Sequence, residues 1–367
     1  MHMLHKGYPP ASALIRHCTI GLALCIATAL SACDGGGGSS SDEDTTAPPS
    51  AAPTGIVIGT DVKTLTFSWD AVADATFYRL LQNPDGASGF SQIGTDLTTT
   101  STTQTVAVHL FDWVNAQYMI EACNAGGCTG SSEFSVTDQM LDTIGYFKAN
   151  NVDVDDAFGG SVALSADGTT LAVGATEEGG EGATAASDGG AVYIFTHSNN
   201  TWTQQAYLKA NNVEENDAFG GSVALSADGT TLAIGAIGED SVEDSSGAVY
   251  IFTHSNNTWT QQVYLKANNA GFGDQFGTSV ALSADGTTLA VGATEEDGEG
   301  ATAVNAGGAV YIFTHSNNTW TQQAYLKAYN AGDEDIFGTS LALSPDGTTL
   351  AIGASGEMLY SGAFYLY

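Results

Sequence analysis

From Pro53 onward, apolar and polar residues alternate with a period of two in short runs. The runs are separated by turns rich in Gly, Asn and Asp. This pattern predicts half-buried antiparallel strands and argues against helices. Within 144–367 the pattern itself repeats. The stretch DAFGGSVALSADGTTLAVGA, Asp156 to Ala175, returns with few changes from Asp217, Asp274 and Asp335, and its phenylalanine falls at Phe158, Phe219, Phe276 and Phe337, at spacings of 61, 57 and 61 residues. A period of this size marks one supersecondary unit copied in tandem.

Each copy predicts four strands. In the first they are Ser161 to Ser165, Thr170 to Ala175, Ala191 to His197 and Thr201 to Leu208. An Ala166-Asp167-Gly168 turn, a long loop over Thr176 to Gly190 and a Ser198-Asn199-Asn200 turn connect them. The third strand carries large residues on both faces, Val192 and Ile194 against Tyr193 and Phe195, so both faces must be covered. The second strand is large on one face and Ala or Gly on the other, which suits sheets packed radially about an axis. Four antiparallel strands per repeat describe a β-propeller blade, with blades at about 158–208, 219–265, 276–326 and 337–367. The last copy stops after its third strand at Tyr367. Upstream, Ile144 to Ala149 matches the end of a fourth strand, Ala206 to Ala210. It is expected to complete the last blade and close the ring, which would remove exposed sheet edges; the alternative is an open arc of four blades.

Here the residues resemble a known family. Phe158-Gly159 followed by Gly174-Ala175 and then GAVYIF is similar to the FG-GAP repeat of integrin α-subunit propellers and related bacterial envelope proteins. The motif recurs as Phe219, Gly220 and Gly235; as Phe276, Gly277 and Gly292; and as Phe337, Gly338 and Gly353. The resemblance implies a propeller used for binding. Repeats of this kind often carry a calcium loop of alternating Asp and Asn between the first two strands. Here that place holds SADGTT or SPDGTT, with one carboxylate each at Asp167, Asp228, Asp285 and Asp346. Calcium takes six to eight oxygens, so these aspartates read as turn formers and no cofactor or metal is expected. Denser acidic clusters, Asp153, Asp155 and Asp156, Glu214, Glu215 and Asp217, and Glu239, Asp240, Glu243 and Asp244, lack an ordered ligand spacing. They read as solvated loop charge, with irregular calcium ligation as the competing reading.

The segment 54–140 differs. About seven short strands predict an antiparallel β-sandwich. Its sequences LTFSWDAVADATFYRL and YMIEACNAGGC resemble a fibronectin type III domain, with Trp69 and Tyr118 at the positions of that family's strand-two Trp and strand-six Tyr. The resemblance implies core and corner roles for both. The fold class expected for the whole chain is therefore all-β: a fibronectin type III-like sandwich followed by a propeller of four blades.

The N-terminus changes the picture of location. Lys6 and Arg16 precede an apolar run from Cys18 to Leu30, short for a membrane span and typical of a secretory signal over 1–32. The run ends in Leu30-Ser31-Ala32-Cys33, which resembles a bacterial lipobox and implies acylation at Cys33. The stretch 33–53 is Gly-, Ser- and acid-rich and reads as a flexible tether, with a reach of roughly 25 Å. An exported, lipid-anchored protein of the cell envelope is expected, with the membrane as a partner through the anchor. Cys123 and Cys128 then remain; they are expected to form a disulfide across a hairpin, against the alternative of a metal or redox pair.

Composition adds one exclusion. Forty-one acidic residues face eight basic ones, for a formal net charge of −33, and such a surface repels nucleic acid. Lys148, Lys209, Lys266 and Lys327, the histidines His197, His254 and His315, and Trp202, Trp259 and Trp320 all recur with the repeat. Recurrence points to structure, whereas an active site needs one place that differs. The histidines beside the Asn-Asn turns are expected to be solvated. No GxSxG, HExxH or P-loop pattern occurs in the sequence. The expectation is a non-enzymatic protein that binds a protein or glycan ligand through the long loops of its blades, Thr176 to Gly190 and counterparts. The alternatives are a carbohydrate-binding accessory module and a purely structural envelope component.

Overall fold

In a computed structural model of the chain, the structure describes residues 46–106, 115–151, 153–180, 186–198, 201–298 and 304–367. The signal segment, most of the tether and Cys33 lie outside them. The chain divides into Met1–Thr46 and Ala47–Tyr367, and the architecture below is that of the second unit. Among the described residues no helix is long and apolar enough to cross a membrane.

The first eight strands are β1 (Val57–Asp61), β2 (Thr64–Ser68), β3 (Phe77–Asn83), β4 (Ser91–Leu97), β5 (Ser101–Thr105), β6 (Gln117–Asn124), β7 (Gly127–Gly130) and β8 (Phe134–Ser135). They form two antiparallel sheets, β1-β2-β5 and β4-β3-β6-β7, with β8 also on β6. Their alternating residues meet in one core that includes Leu65, Phe67, Trp69, Leu80, Tyr118 and Ile120. Trp69 stands edge-on to Tyr78 at 5.4 Å, and the Tyr78 hydroxyl accepts the Val72 N–H at 2.8 Å. Cys123 and Cys128 are directly opposed on β6 and β7 and are joined by a disulfide.

The repeats build the rest. Blade one is β9 (Phe158–Leu164), β10 (Thr170–Ala175), β11 (Ala191–Ser198) and β12 (Thr201–Leu208). Blade two is β13 (Phe219–Leu225), β14 (Thr231–Ala236), β15 (Ala248–Ser255) and β16 (Thr258–Leu265). Blade three is β17 (Phe276–Leu282), β18 (Thr288–Ala293), β19 (Ala309–Ser316) and β20 (Thr319–Leu326). Blade four has β21 (Phe337–Leu343), β22 (Leu350–Ala354) and β23 (Ala363–Leu366). Three sheets of four antiparallel strands in sequence order and one of three give an all-β, propeller-like architecture. The hairpins follow from their turns: Asn256 and Asn257, like Asn317 and Asn318, both have positive φ, the geometry of a two-residue turn that asparagine tolerates.

The doubly apolar third strand is covered on both sides. Val192 and Ile194 of blade one join Phe219, Leu232, Ile234, Tyr250 and Phe252 of blade two in one core, while Tyr193 and Phe195 pack with Val173 and Ala149 on the other side. The same pattern joins blade two to three and three to four. Backbone bonds between the turns after each first strand add a second seam: Ala166 donates to Ala227, Ala227 to Ala284, and Ala284 to Pro345, each at 2.9 Å.

One expectation is corrected. Ile144 to Ala149 is not a strand and does not pair with β23, so the last sheet keeps three strands. The segment lies on blade one, with the Phe147 ring 6.2 Å from Phe195 and 6.3 Å from Trp202. The Asn150 N–H donates to Gln204 at 2.9 Å, as Asn211 does to Gln261 at 2.9 Å and Asn268 to Gln322 at 3.0 Å. Every fourth strand therefore exits onto the blade that follows it. Ile144 to Ala149 keeps that forward contact with blade one and lacks the strand pairing with a preceding blade.

Candidate functional site

The Phe-Gly motif forms the seam between blades. Phe219 is fully buried, edge-on to Tyr250 at 5.3 Å and to Phe252 at 6.0 Å. A register shift between Phe219 and Ser222 turns the phenylalanine inward, and Gly220, at φ +97, supplies the backbone conformation this bulge needs. The Gly220 carbonyl accepts the Ser161 hydroxyl of blade one at 2.6 Å. Ser222 and Ser279 repeat the bond to Gly277 at 2.7 Å and Gly338 at 2.6 Å. Gly174, Gly235 and Gly292 are required by the same approach: a Cβ on Gly174 would stand 2.1 Å from the Gly220 carbonyl oxygen. Phe276 and Phe337 are buried like Phe219, while Phe158 is half-buried.

The Asp-Gly turn after each first strand is closed on itself. Asp167 accepts the Ser165 hydroxyl at 2.7 Å, the Thr169 N–H at 3.0 Å and the Thr169 hydroxyl at 2.9 Å. The Ser165 hydrogen bond, then those from Thr169, hold its carboxyl below the usual carboxylate range. Asp228, Asp285 and Asp346 sit in the same turn with the same shift. One carboxylate per turn, engaged by neighbouring hydroxyls, does not fit a calcium loop.

The aspartates that begin each motif are different. Asp156, Asp217, Asp274 and Asp335 are buried, and each accepts a backbone N–H from three residues upstream, as Asp217 does from Glu214 at 2.8 Å. They act as turn caps and are not solvated charge. Burial, followed by repulsion from Glu239 and Glu214, pushes Asp217 up to about 6 against the Glu214 hydrogen bond. The folded chain therefore keeps this proton between about pH 4 and 6 while the unfolded chain loses it, and the contribution of Asp217 to stability falls as pH rises through that window. Asp217→Asn keeps an acceptor for Glu214 without the charge. Urea midpoints of parent and variant are expected to diverge from pH 4 to 6 in favour of the variant and run parallel above; parallel curves throughout would refute the assignment.

The long loops hold a feature that the sequence did not disclose. Each opens on a buried glutamate, Glu178, Glu239, Glu296 or Glu357. In blades one to three the recurrent lysine just after the fourth strand pairs with it: Lys209 with Glu178 at 2.9 Å, Lys266 with Glu239, and Lys327 with Glu296 at 2.7 Å. A fourth-strand tyrosine adds a bond, Tyr207 to Glu178 at 2.7 Å and Tyr264 to Glu239 at 2.7 Å. An asparagine from the preceding crossover completes the set, as Asn212 does for Glu239 at 3.3 Å. Burial pushes the Glu239 carboxyl up, but the hydrogen bonds from Lys266 and Tyr264 and the Lys266 charge hold it below its ordinary value. The lysine recurrence was visible in the sequence, but the matching Glu lay in a loop of variable length and varied acidity.

Beside this network on blade three lies a groove of about 760 Å³, lined by Asn268, Asn269, Tyr325, Lys327 and Tyr329 among others. Tyr329 is 91% exposed. Side-chain amides, phenol rings and a half-sequestered ammonium suit hydrogen bonding and stacking with a polar ligand. The histidines are not solvated as expected. His197, His254 and His315 are half-buried and lie over Trp202, Trp259 and Trp320 at 5.2, 5.1 and 5.1 Å, opposite them on the paired strand. Trp259 and Trp320 also pack against blade cores. Glu121 lies near Cys123 and Cys128, but both sulfurs are held in the disulfide.

Comparison with known proteins agrees with the repeat. The FG-GAP repeat family matches residues 202–252, 259–313 and 320–367. Each match begins in the fourth strand of one blade and runs through the third strand of the next. No curated protein matches the chain. Similar solved structures include Kuenenia stuttgartiensis hydrazine synthase, at 15% identity and TM-score 0.39 over 60% of this chain; the chain spans 49% of that one. A Fn3-like protein from Clostridium thermocellum is similar at 28% identity and TM-score 0.20, over 24% of this chain and 90% of that one. The periplasmic gluconolactonase of Pseudomonas aeruginosa is similar at 13% identity and TM-score 0.31, over 79% and 83%.

Proposed function

We propose that this protein is a non-enzymatic binding protein of the bacterial cell envelope. It is anchored by lipid on Cys33, spaced from the membrane by the tether and a fibronectin type III-like module, and engages a protein or glycan through the loop side of its blades. The observation that carries the reading is the division of labour within each repeat. The Phe-Gly seam, the Asp-Gly turn and the Glu–Lys pair recur as frame, while the loop between second and third strands changes in length and composition and borders the groove at Tyr329. Contact surfaces set on a rigid repeated frame are how repeat architectures bind.

The test is a pull-down from envelope extracts and a glycan array, each run with the full chain and with Tyr329→Ala and Asn269→Ala. An exposed aromatic at the centre of a contact accounts for about 1–3 kcal/mol, so Tyr329→Ala is expected to weaken retention of the captured ligand by roughly tenfold or more. Capture indifferent to both substitutions, or turnover of a substrate, would sink the reading. The anchor has its own arm: Cys33→Ala is expected to abolish palmitate incorporation and release the chain from membranes while leaving ligand capture intact.

A further inference from the structure

The strand ends away from the long loops carry a repeated groove. β10 begins and β11 ends there, with Thr170 opposite Thr196, and the β15–β16 hairpin turns there, with His254 opposite Trp259. The long loop leaves from the other end, after Ala175. A groove of about 440 Å³ joins Thr170, Thr196 and Gln205 of blade one to His254, Thr258 and Trp259 of blade two, among others. A groove of about 500 Å³ joins Thr231, Thr253 and Gln262 of blade two to His315, Thr319 and Trp320 of blade three, among others. Position for position, the second set is the first moved on by one blade.

The chemistry of these linings departs from that of the chain. The formal net charge is −33, but neither set of residues holds a carboxylate or a lysine. The turns at Gly229 and Gly286 adjoin Thr170 and Thr231. Their carboxylates, Asp228 and Asp285, accept the hydroxyls of Ser226 and Thr230 and of Ser283 and Thr287. An amide, several hydroxyls and an aromatic wall are left to face the groove. His254 stacks on Trp259 at 5.1 Å and 26°, and His315 on Trp320 at 5.1 Å and 24°, so each half-buried indole is held by a neighbour. Gln205, Gln262, Thr258 and Thr319 are exposed.

We propose that these grooves bind a neutral glycan, one sugar residue at each seam. An aromatic wall covers the C–H face of a pyranose while the amide and hydroxyl groups meet its hydroxyls, the pairing of apolar surface with a few placed polar groups that small-ligand sites use. Both volumes lie within the ~300–1,000 Å³ of such sites. A basic peptide, the partner an acidic surface attracts, finds no carboxylate in either set, and an acidic sugar finds no lysine. Like sites on one rigid frame match a polymer of like units, since a sugar held at one seam raises the local concentration of the next at its neighbour. The grooves share no residue with those named at the Tyr329 groove, so this reading stands apart from the loop-side one.

Titration of the full chain in detergent, read by tryptophan fluorescence, tests this. The probes are neutral hexasaccharides of glucose, mannose and N-acetylglucosamine, with polygalacturonate as the acidic comparison. At least one neutral hexasaccharide is expected to change the emission, and polygalacturonate is not. Gln205→Ala/Thr258→Ala in one groove and Gln262→Ala/Thr319→Ala in the other are each expected to weaken binding about tenfold, the scale of a lost hydrogen bond at a contact. All four together are expected to weaken it further, with urea midpoints unchanged because the side chains are exposed. On the parent, bound hexasaccharide is expected to protect Trp259 and Trp320 from oxidation by N-bromosuccinimide. No response to any neutral hexasaccharide, equal binding of polygalacturonate, or four substitutions no weaker than two would overturn the proposal. So would a parent in which neither tryptophan is protected, whatever the variants do.

Discussion

Glu178→Gln is expected to destabilise the protein by about 3–5 kcal/mol, the scale for breaking a buried ion pair from one side. The Lys209 and Glu178 side chains are 7% and 5% exposed and 2.9 Å apart. The lysine also donates to the Glu178 carbonyl at 2.9 Å, and Tyr207 donates to the carboxylate at 2.7 Å. Glutamine keeps an oxygen for Tyr207 but leaves the ammonium without its counter-charge in a site closed to water. The double variant Glu178→Gln/Lys209→Met is expected to recover much of the loss, because exchanging a whole buried pair for an apolar group of similar size is often neutral. Urea denaturation of the three chains decides the matter. A single variant within about 1 kcal/mol of the parent, the range of exposed pairs, would show that water reaches the pair.

This network shows where a sequence stops being informative. The strands, hairpins and seams were legible because their signals are local and repeated: AVYIF is apolar on both faces, Asn-Asn permits a two-residue turn, and Phe-Gly recurs in register. The ion pairs were half legible. Lys209, Lys266 and Lys327 stand out as the only Lys or Arg residues in the sequence of the blades, but Glu178 is one acid among many, and only folding brings it under the fourth strand of its own blade 31 residues away. Asp217 was hidden for the same reason: among Glu214, Glu215 and Asp217 nothing local says which carboxylate turns inward. Ile144 to Ala149 misled differently. Its likeness to a fourth-strand end is genuine, but such an end has two neighbours, the sheet it belongs to and the blade it runs onto. The match could not tell which contact is formed. The setting of the histidines depends on a cross-strand partner and not on the turn beside them: a period-two register sets His197 opposite Trp202.

Gly235→Ala is expected to separate blades two and three, at a cost of about 3 kcal/mol or more, toward the upper end for overpacking. Its added Cβ would stand 2.1 Å from the Gly277 carbonyl oxygen. That oxygen is backbone, fixed by the bulge after Phe276 and by the Ser222 hydroxyl at 2.7 Å, so relief requires moving a whole strand. Gly353→Ala makes the same chemical change at the counterpart in blade four. There a Cβ would meet only the Ser340 hydroxyl, at 2.4 Å, and that side chain is exposed and can rotate away. The two substitutions share residue type, strand and register and differ only in whether another blade is stacked on top. Thermal unfolding of dilute protein is expected to show a large loss for Gly235→Ala and little change for Gly353→Ala; equal losses would mean that strand geometry, and not blade contact, demands the glycine.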